Sequence, residues 1–173
     1  MTQPHQLSTI RFWLALFIAG LVLSGATAFP LQTELGWLHS SLQTTPLRQI
    51  AQATGLLPWI TRVHDAVSDT NQRYPFLAYG TDWLAFGHLV IAVAFIGPYR
   101  DPVRNKWLIT FGLIACAGVF PLALIAGSIR GIPIWWRLID CSFGVFGSIP
   151  LLLCRRSIAA LERVNRDFVE ITT

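Results

Sequence analysis

Charge is what this chain has least of. Charged residues make up 13% of its 173 positions, against about 25% in a typical soluble domain. The deficit is concentrated: residues 12–33, 83–99 and 107–129 contain no Asp, Glu, Lys or Arg at all. Three such stretches in so short a chain argue against a soluble enzyme, a disordered chain or a disulfide-stapled domain. Lysine is nearly absent, since twelve of the thirteen basic residues are arginine. These arginines lie between the apolar stretches rather than clustered on one arm, which excludes a nucleic-acid footprint. Cysteine is scarce and unpaired in spacing. Cys116, Cys141 and Cys154 all fall in apolar stretches with no C-x-x-C, so they read as small packing residues rather than a thiolate metal site or a disulfide relay. P-loop, G-x-G-x-x-G and H-E-x-x-H motifs are missing too.

What is present is hydrophobic: 53% of residues are apolar, with a mean hydropathy of +0.53. A helix needs about 20 residues to cross a hydrocarbon core of about 30 Å, and four segments reach that length: residues 10–29, 78–97, 107–127 and 135–154. No alternating apolar pattern competes with them, so the expected fold is all-α. It is a polytopic integral membrane protein of four transmembrane helices, occupying 1–173 as one membrane domain. Residues 1–28 also fit a signal peptide, with Arg11, an apolar run and the small-residue site Ala26-Thr27-Ala28; cleavage there would leave three spans.

With the N-terminus inside, eight Lys and Arg fall on the inner side and five on the outer. Three of the eight (Arg100, Arg104 and Lys106) sit in the tight inner loop 98–106. This bias predicts both termini in the cytoplasm, and Trp13, Trp107, Trp83, Trp135 and Trp136 fall at span ends, where indoles prefer to lie. The outer segment 30–77 carries two helical stripes. Leu31, Leu35, Leu38 and Leu42 form the first; Leu56, Leu57, Ile60, Val63, His64 and Val67 form the second. They predict two amphipathic helices capping the bundle or lying on the outer leaflet. In the tail 155–173, Leu161, Val164, Phe168 and Ile171 keep an apolar stripe, and Glu162 can pair with Arg166. This reads as a cytoplasmic tail helix.

Ionisable residues within spans are costly and face the bundle interior or a water cavity. At about 1.5 Å per residue, Asp82 and Asp140 lie at similar depth below the outer edge on two different helices. Arg137 sits near the same edge and Arg130 in the short loop above it. These four residues suggest one outward-facing polar pocket, fit to bind a cationic group or to act as general acid and base. Mutual pairing of the carboxylates with the arginines, or Asp82 capping its own helix, are the alternatives. His88 lies near mid-membrane, about 120° around the helix from Asp82. No other span offers a second histidine for a haem, and His39, His64, Asp65 and Asp69 show no metal-ligand spacing. No cofactor or metal is therefore expected, and His88 reads as a hydrogen-bonded histidine or a pocket residue.

Small residues at Gly20, Ser24 and Ala28, and at Gly144 and Gly147, suggest close helix packing. Pro121 and Pro150 can kink the last two spans. The texture from YGTDWLAFGH through GPYRDPVRNKW to RGIPIWWRLID resembles small proteins of the bacterial inner membrane. The functional expectation is a binding or transfer protein for a small amphipathic or lipid-like ligand. An enzyme acting on a lipid head group through Asp82 or Asp140, and an accessory subunit of a larger membrane complex, are the alternatives. The expected partners are the bilayer, such a ligand or another membrane protein, and no nucleic acid.

Overall fold

The computed structural model describes residues 3–44, 46 and 48–172, with side chains described over 5–44, 46 and 48–163. All regular structure among the described residues is helical. In chain order it comprises α1 (Gln3–Ala28), α2 (Leu31–Thr44), α3 (Arg48–Ala53), α4 (Leu56–Arg73), a 3₁₀ turn (Pro75–Leu77), α5 (Ala78–Ala94), α6 (Ile96–Arg100), α7 (Lys106–Pro121), a π-helical turn (Leu122–Ala126), α8 (Gly127–Ile129) and α9 (Ile134–Thr172). Among the described residues four helical stretches are long and apolar enough to cross a membrane: His5–Ala28, Pro75–Arg100, Lys106–Ile129 and Ile134–Arg163. They match the four spans expected from the sequence, with ends moved by a few residues.

The chain divides into two units, residues 1–20 with 92–173, and residues 21–91. In the first, α7 and α9 pack along one another. Their crossing is built on Gly144. A Cβ there would stand 2.6 Å from the Cys116 carbonyl oxygen and 3.2 Å from the Phe120 ring, so only glycine lets the two backbones meet. Ile10, Leu14, Phe95, Ile109 and Leu151 are almost wholly buried, and the Phe17 and Phe95 rings lie 4.7 Å apart at 53°. The cysteines serve as small packing groups: Cys141 and Cys154 are buried, and the Cys154 thiol points at the Ile10 carbonyl, 3.5 Å away.

The loop between α6 and α7 is closed by side chains. Asp101 Oδ1 accepts from the Arg104 amide, while Asn105 Nδ2 donates to the carbonyls of Gly97 and Asp101. Pro121 has no amide proton for the α-helical ladder, and directly after it the helix widens into the π turn. Pro150, by contrast, sits inside an unbroken α9. That turn leads to α8, which ends in a Schellman closure. The Ile132 amide donates to the Gly127 carbonyl and the Gly131 amide to that of Ser128, with Gly131 at φ 68°. A left-handed residue with a Cβ costs about 1–2 kcal/mol. Gly131→Ala is therefore expected to lower stability by about 1 kcal/mol, and Gly131→Asn by less, read as thermal midpoints in detergent.

Two expectations change in the helices α9 and α1. The tail is continuous with the last span, since α9 runs unbroken from Ile134 to Thr172. It is held by buried Ile158 and Leu161 and by Lys106 Nζ donating to Glu162 Oε1 at 2.7 Å. Glu162 thus finds a cation across the fold; the side chains of Val164, Arg166, Phe168 and Ile171, and with them the expected Glu162–Arg166 pair, lie outside the described residues. The small-residue stripe of α1 is also misplaced. Gly20 and Ser24 are exposed, whereas Ile10, Leu14 and Gly25 form the buried face, because small residues in an apolar helix mark close packing only where a partner helix approaches.

In the second unit, α2 and α4 pack together with α3 between them in sequence. The segment 30–77 thus contains a third short helix beside the two expected. Leu42, Ala51, Leu57 and Ile60 are buried, whereas Leu38 stays 42% exposed. Gly55, at φ 76°, turns the chain from α3 into α4. Polar contacts align α2 with α4. Asn71 Nδ2 donates to Gln32 Oε1 at 2.8 Å, the His39 and His64 rings stack 4.8 Å apart, and Thr61 Oγ1 lies 3.1 Å from His39 Nε2.

Candidate functional site

The cavity of greatest interest lies within the second unit and measures about 580 Å³, inside the range of small-molecule sites. Phe29, Pro30 and the first turn of α2 (Leu31, Gln32, Thr33) form one wall. One face of α4 (Trp59, Arg62, Val63, Ala66, Val67, Thr70, Asn71) forms the second. The third comes from Leu77, Ala78, Thr81 and Asp82, at the start of α5. The α4 face follows from helical spacing, since its residues recur at intervals of three and four. The α5 wall follows from Pro75. Its fixed φ suits the first turn of a helix, and the Leu77 amide donates back to the Tyr74 carbonyl, which turns the chain into the span.

This geometry assigns Asp82 a definite place. It is the fifth residue of α5 and makes no capping hydrogen bond among the described residues, so helix capping does not explain it. Asp82 is half-buried and lines the cavity, and the exposed Arg62 lines it too. Neither forms an ion pair among the described residues, although Asp69 and Arg73 on the outer side of α4 do so at 2.8 Å. The site therefore holds one carboxylate, one guanidinium, an amide pair (Gln32 and Asn71) and apolar and aromatic walls. Such a lining can orient the polar part of an amphiphile and leave its apolar part against Phe29, Val63 and Leu77.

Asp140 and Arg130 line a second recess, of about 260 Å³, in the first unit, together with Leu122, Ala123, Ala126 and Gly127 of the π turn and α8. Arg137 has another role. Its side-chain stem lies over Gly127, where a Cβ would stand 2.7 Å from Arg137 Cδ, and Nη1 donates to the Leu124 carbonyl inside the π turn at 3.2 Å. The guanidinium thus ties α9 to the widened segment that Pro121 introduces. Among the described residues neither Arg130 nor Arg137 is ion-paired to Asp140, so the expected carboxylate–arginine clamp is not formed there.

His88 lines neither recess. Its Nδ1 donates to the Leu84 carbonyl at 2.8 Å, which makes Nδ1 the protonated nitrogen. Its Cβ faces Gly25 of α1, where an added Cβ would stand 3.1 Å away. His88 is thereby a hydrogen-bonded packing residue at the α1–α5 approach. Among the described residues no group of three or more His, Cys, Asp or Glu is placed to hold a metal ion.

Reading the sequence missed Arg62, Trp59, Gln32 and Asn71. The signal was present in the spacing of α4, whose polar residues border its buried stripe. That spacing does not say that the α2 turn and the start of α5 stand opposite. Comparison of the chain with family models, with curated proteins and with solved structures finds no match.

Proposed function

We propose that this chain is a membrane protein that binds or transfers a small amphipathic, lipid-like molecule through the cavity between α2, α4 and the start of α5. The observation that carries the reading is the lining itself: Arg62 and Asp82, neither ion-paired among the described residues, set among Phe29, Trp59, Val63 and Leu77. Its position supports the same reading. Phe29 directly follows the candidate span His5–Ala28, and Asp82 is seven residues into Pro75–Arg100, about 10 Å along a helix. The walls therefore come from the end of one span and the first turns of another, near the edge of the hydrocarbon layer. The bacterial cytoplasmic membrane, with both termini inside, is the setting we propose, on the excess of Arg and Lys in the segments assigned to that side.

Ala66 tests this reading, because it lines the cavity yet is exposed. A tryptophan at this position fills the space without entering the packed core. Native mass spectrometry of protein gently extracted from its own membrane is expected to show a discrete bound mass. In Ala66→Trp that mass should fall by about tenfold or more, a difference of about 1.4 kcal/mol. A bare polypeptide from the unaltered protein, or undiminished retention in Ala66→Trp, overturns the proposal.

A further inference from the structure

We infer that the ligand of this cavity is zwitterionic, a phosphate and an ammonium group a few atoms apart, with Arg62 receiving the phosphate and Asp82 the ammonium. The inference rests on the cavity being an amphiphile site and names the chemistry of its occupant. Arg62 and Asp82 line the same cavity with opposite charge, and neither is ion-paired among the described residues. An uncompensated charge at the edge of a hydrocarbon layer is costly. A purely anionic head group would satisfy Arg62 and leave Asp82 facing a like charge; a purely cationic one would do the reverse. A zwitterion compensates both and leaves the filled cavity neutral. The guanidinium fork matches two phosphate oxygens, whereas a carboxylate accepts from an ammonium in several directions. Gln32 and Asn71, already joined at 2.8 Å across the α2 and α4 walls, supply further amide donors and acceptors to the same cavity. Phe29 and Leu77 offer apolar surface to the chains or backbone that follow the head group.

The test uses the full-length protein in detergent with an equimolar mixture of phosphatidylethanolamine and phosphatidylglycerol of identical acyl chains, read by native mass spectrometry. Both lipids carry the phosphate and only the first carries the ammonium. The expected result is about tenfold greater retention of phosphatidylethanolamine, the size of one charge-assisted hydrogen bond. Asp82→Asn should abolish that preference by weakening phosphatidylethanolamine alone. Arg62→Gln should weaken both lipids, and Asp82→Glu should keep the preference, which separates lost charge from a damaged fold. Soluble phosphoethanolamine identifies the source. Displacement of bound lipid at comparable concentration indicates a free head-group compound, and failure to displace indicates the intact lipid; either supports the zwitterion. Equal retention of the two lipids, or a preference that survives Asp82→Asn, overturns the inference while leaving the amphiphile site standing. Retention of neither lipid by the unaltered protein overturns both.

Discussion

Replacing Gly144 with alanine is expected to destabilise the protein by about 3 kcal/mol, at the upper end of the usual cost of overpacking. The reason is the identity of the obstructing atom. The new Cβ would lie 2.6 Å from the Cys116 carbonyl oxygen, a backbone atom that cannot rotate away as a side-chain tip can. α7 and α9 would have to separate, and the contacts along their packed length would loosen together. Close backbone approach matters more here than it would in water, since lipid tails are as apolar as the helices, and van der Waals packing is what favours association. Gly20→Ala supplies the control, because nothing lies within 4 Å of a Cβ at that position. Thermal unfolding in detergent should show a large fall in midpoint for Gly144→Ala and no resolvable change for Gly20→Ala. A silent Gly144→Ala would mean that the two helices do not meet at this point.

Truncating Phe95 to alanine should cost about 2 kcal/mol. Phe95 is fully buried; its ring packs 4.7 Å from that of Phe17, and a Cβ on Gly112 would stand 2.9 Å from Phe95 Cζ. In a soluble core such a change costs about 3–5 kcal/mol, through lost transfer energy plus the cavity left behind. The transfer part shrinks in a bilayer, where a displaced ring would find acyl chains instead of water. The cavity part remains: roughly 100 Å³ at about 24 cal/mol per Å³ gives about 2 kcal/mol. Phe111→Ala is the matched comparison, since Phe111 is 41% exposed and should lose far less. Equilibrium unfolding in mixed micelles measures both, and equal losses would contradict the placement of Phe95.

The number, approximate limits and helical character of the four spans were legible in the sequence. The length of hydrocarbon to be crossed and the need to satisfy every backbone group inside the helix leave a charge-free stretch of 20 residues few alternatives. The amphipathic stripes of the segment 30–77 were legible for the same reason: a period of 3.6 is a property of one helix. Asp82 stood out as well, because a carboxylate inside an apolar run is conspicuous wherever it points.

Everything that depends on a second helix had to come from the tertiary structure. It is the α2–α4 pairing that brings Arg62 to the cavity Asp82 lines, and Arg62 looks in the sequence like any solvated residue of an amphipathic helix. Arg137 and His88 carry the same charge and imidazole that marked them as site residues, yet one caps the Leu124 carbonyl and the other bonds within its own helix. Glu162 is held by Lys106, 56 residues earlier in the chain, a contact that no helical spacing announces. Gly25 rather than Gly20 meets a neighbouring helix, a difference no periodicity within α1 can express. Local pattern therefore determined what each segment is, because backbone hydrogen bonds and hydrophobic length act within a segment. Which side chains share a cavity was decided by packing between segments, whose contacts join residues far apart in the chain.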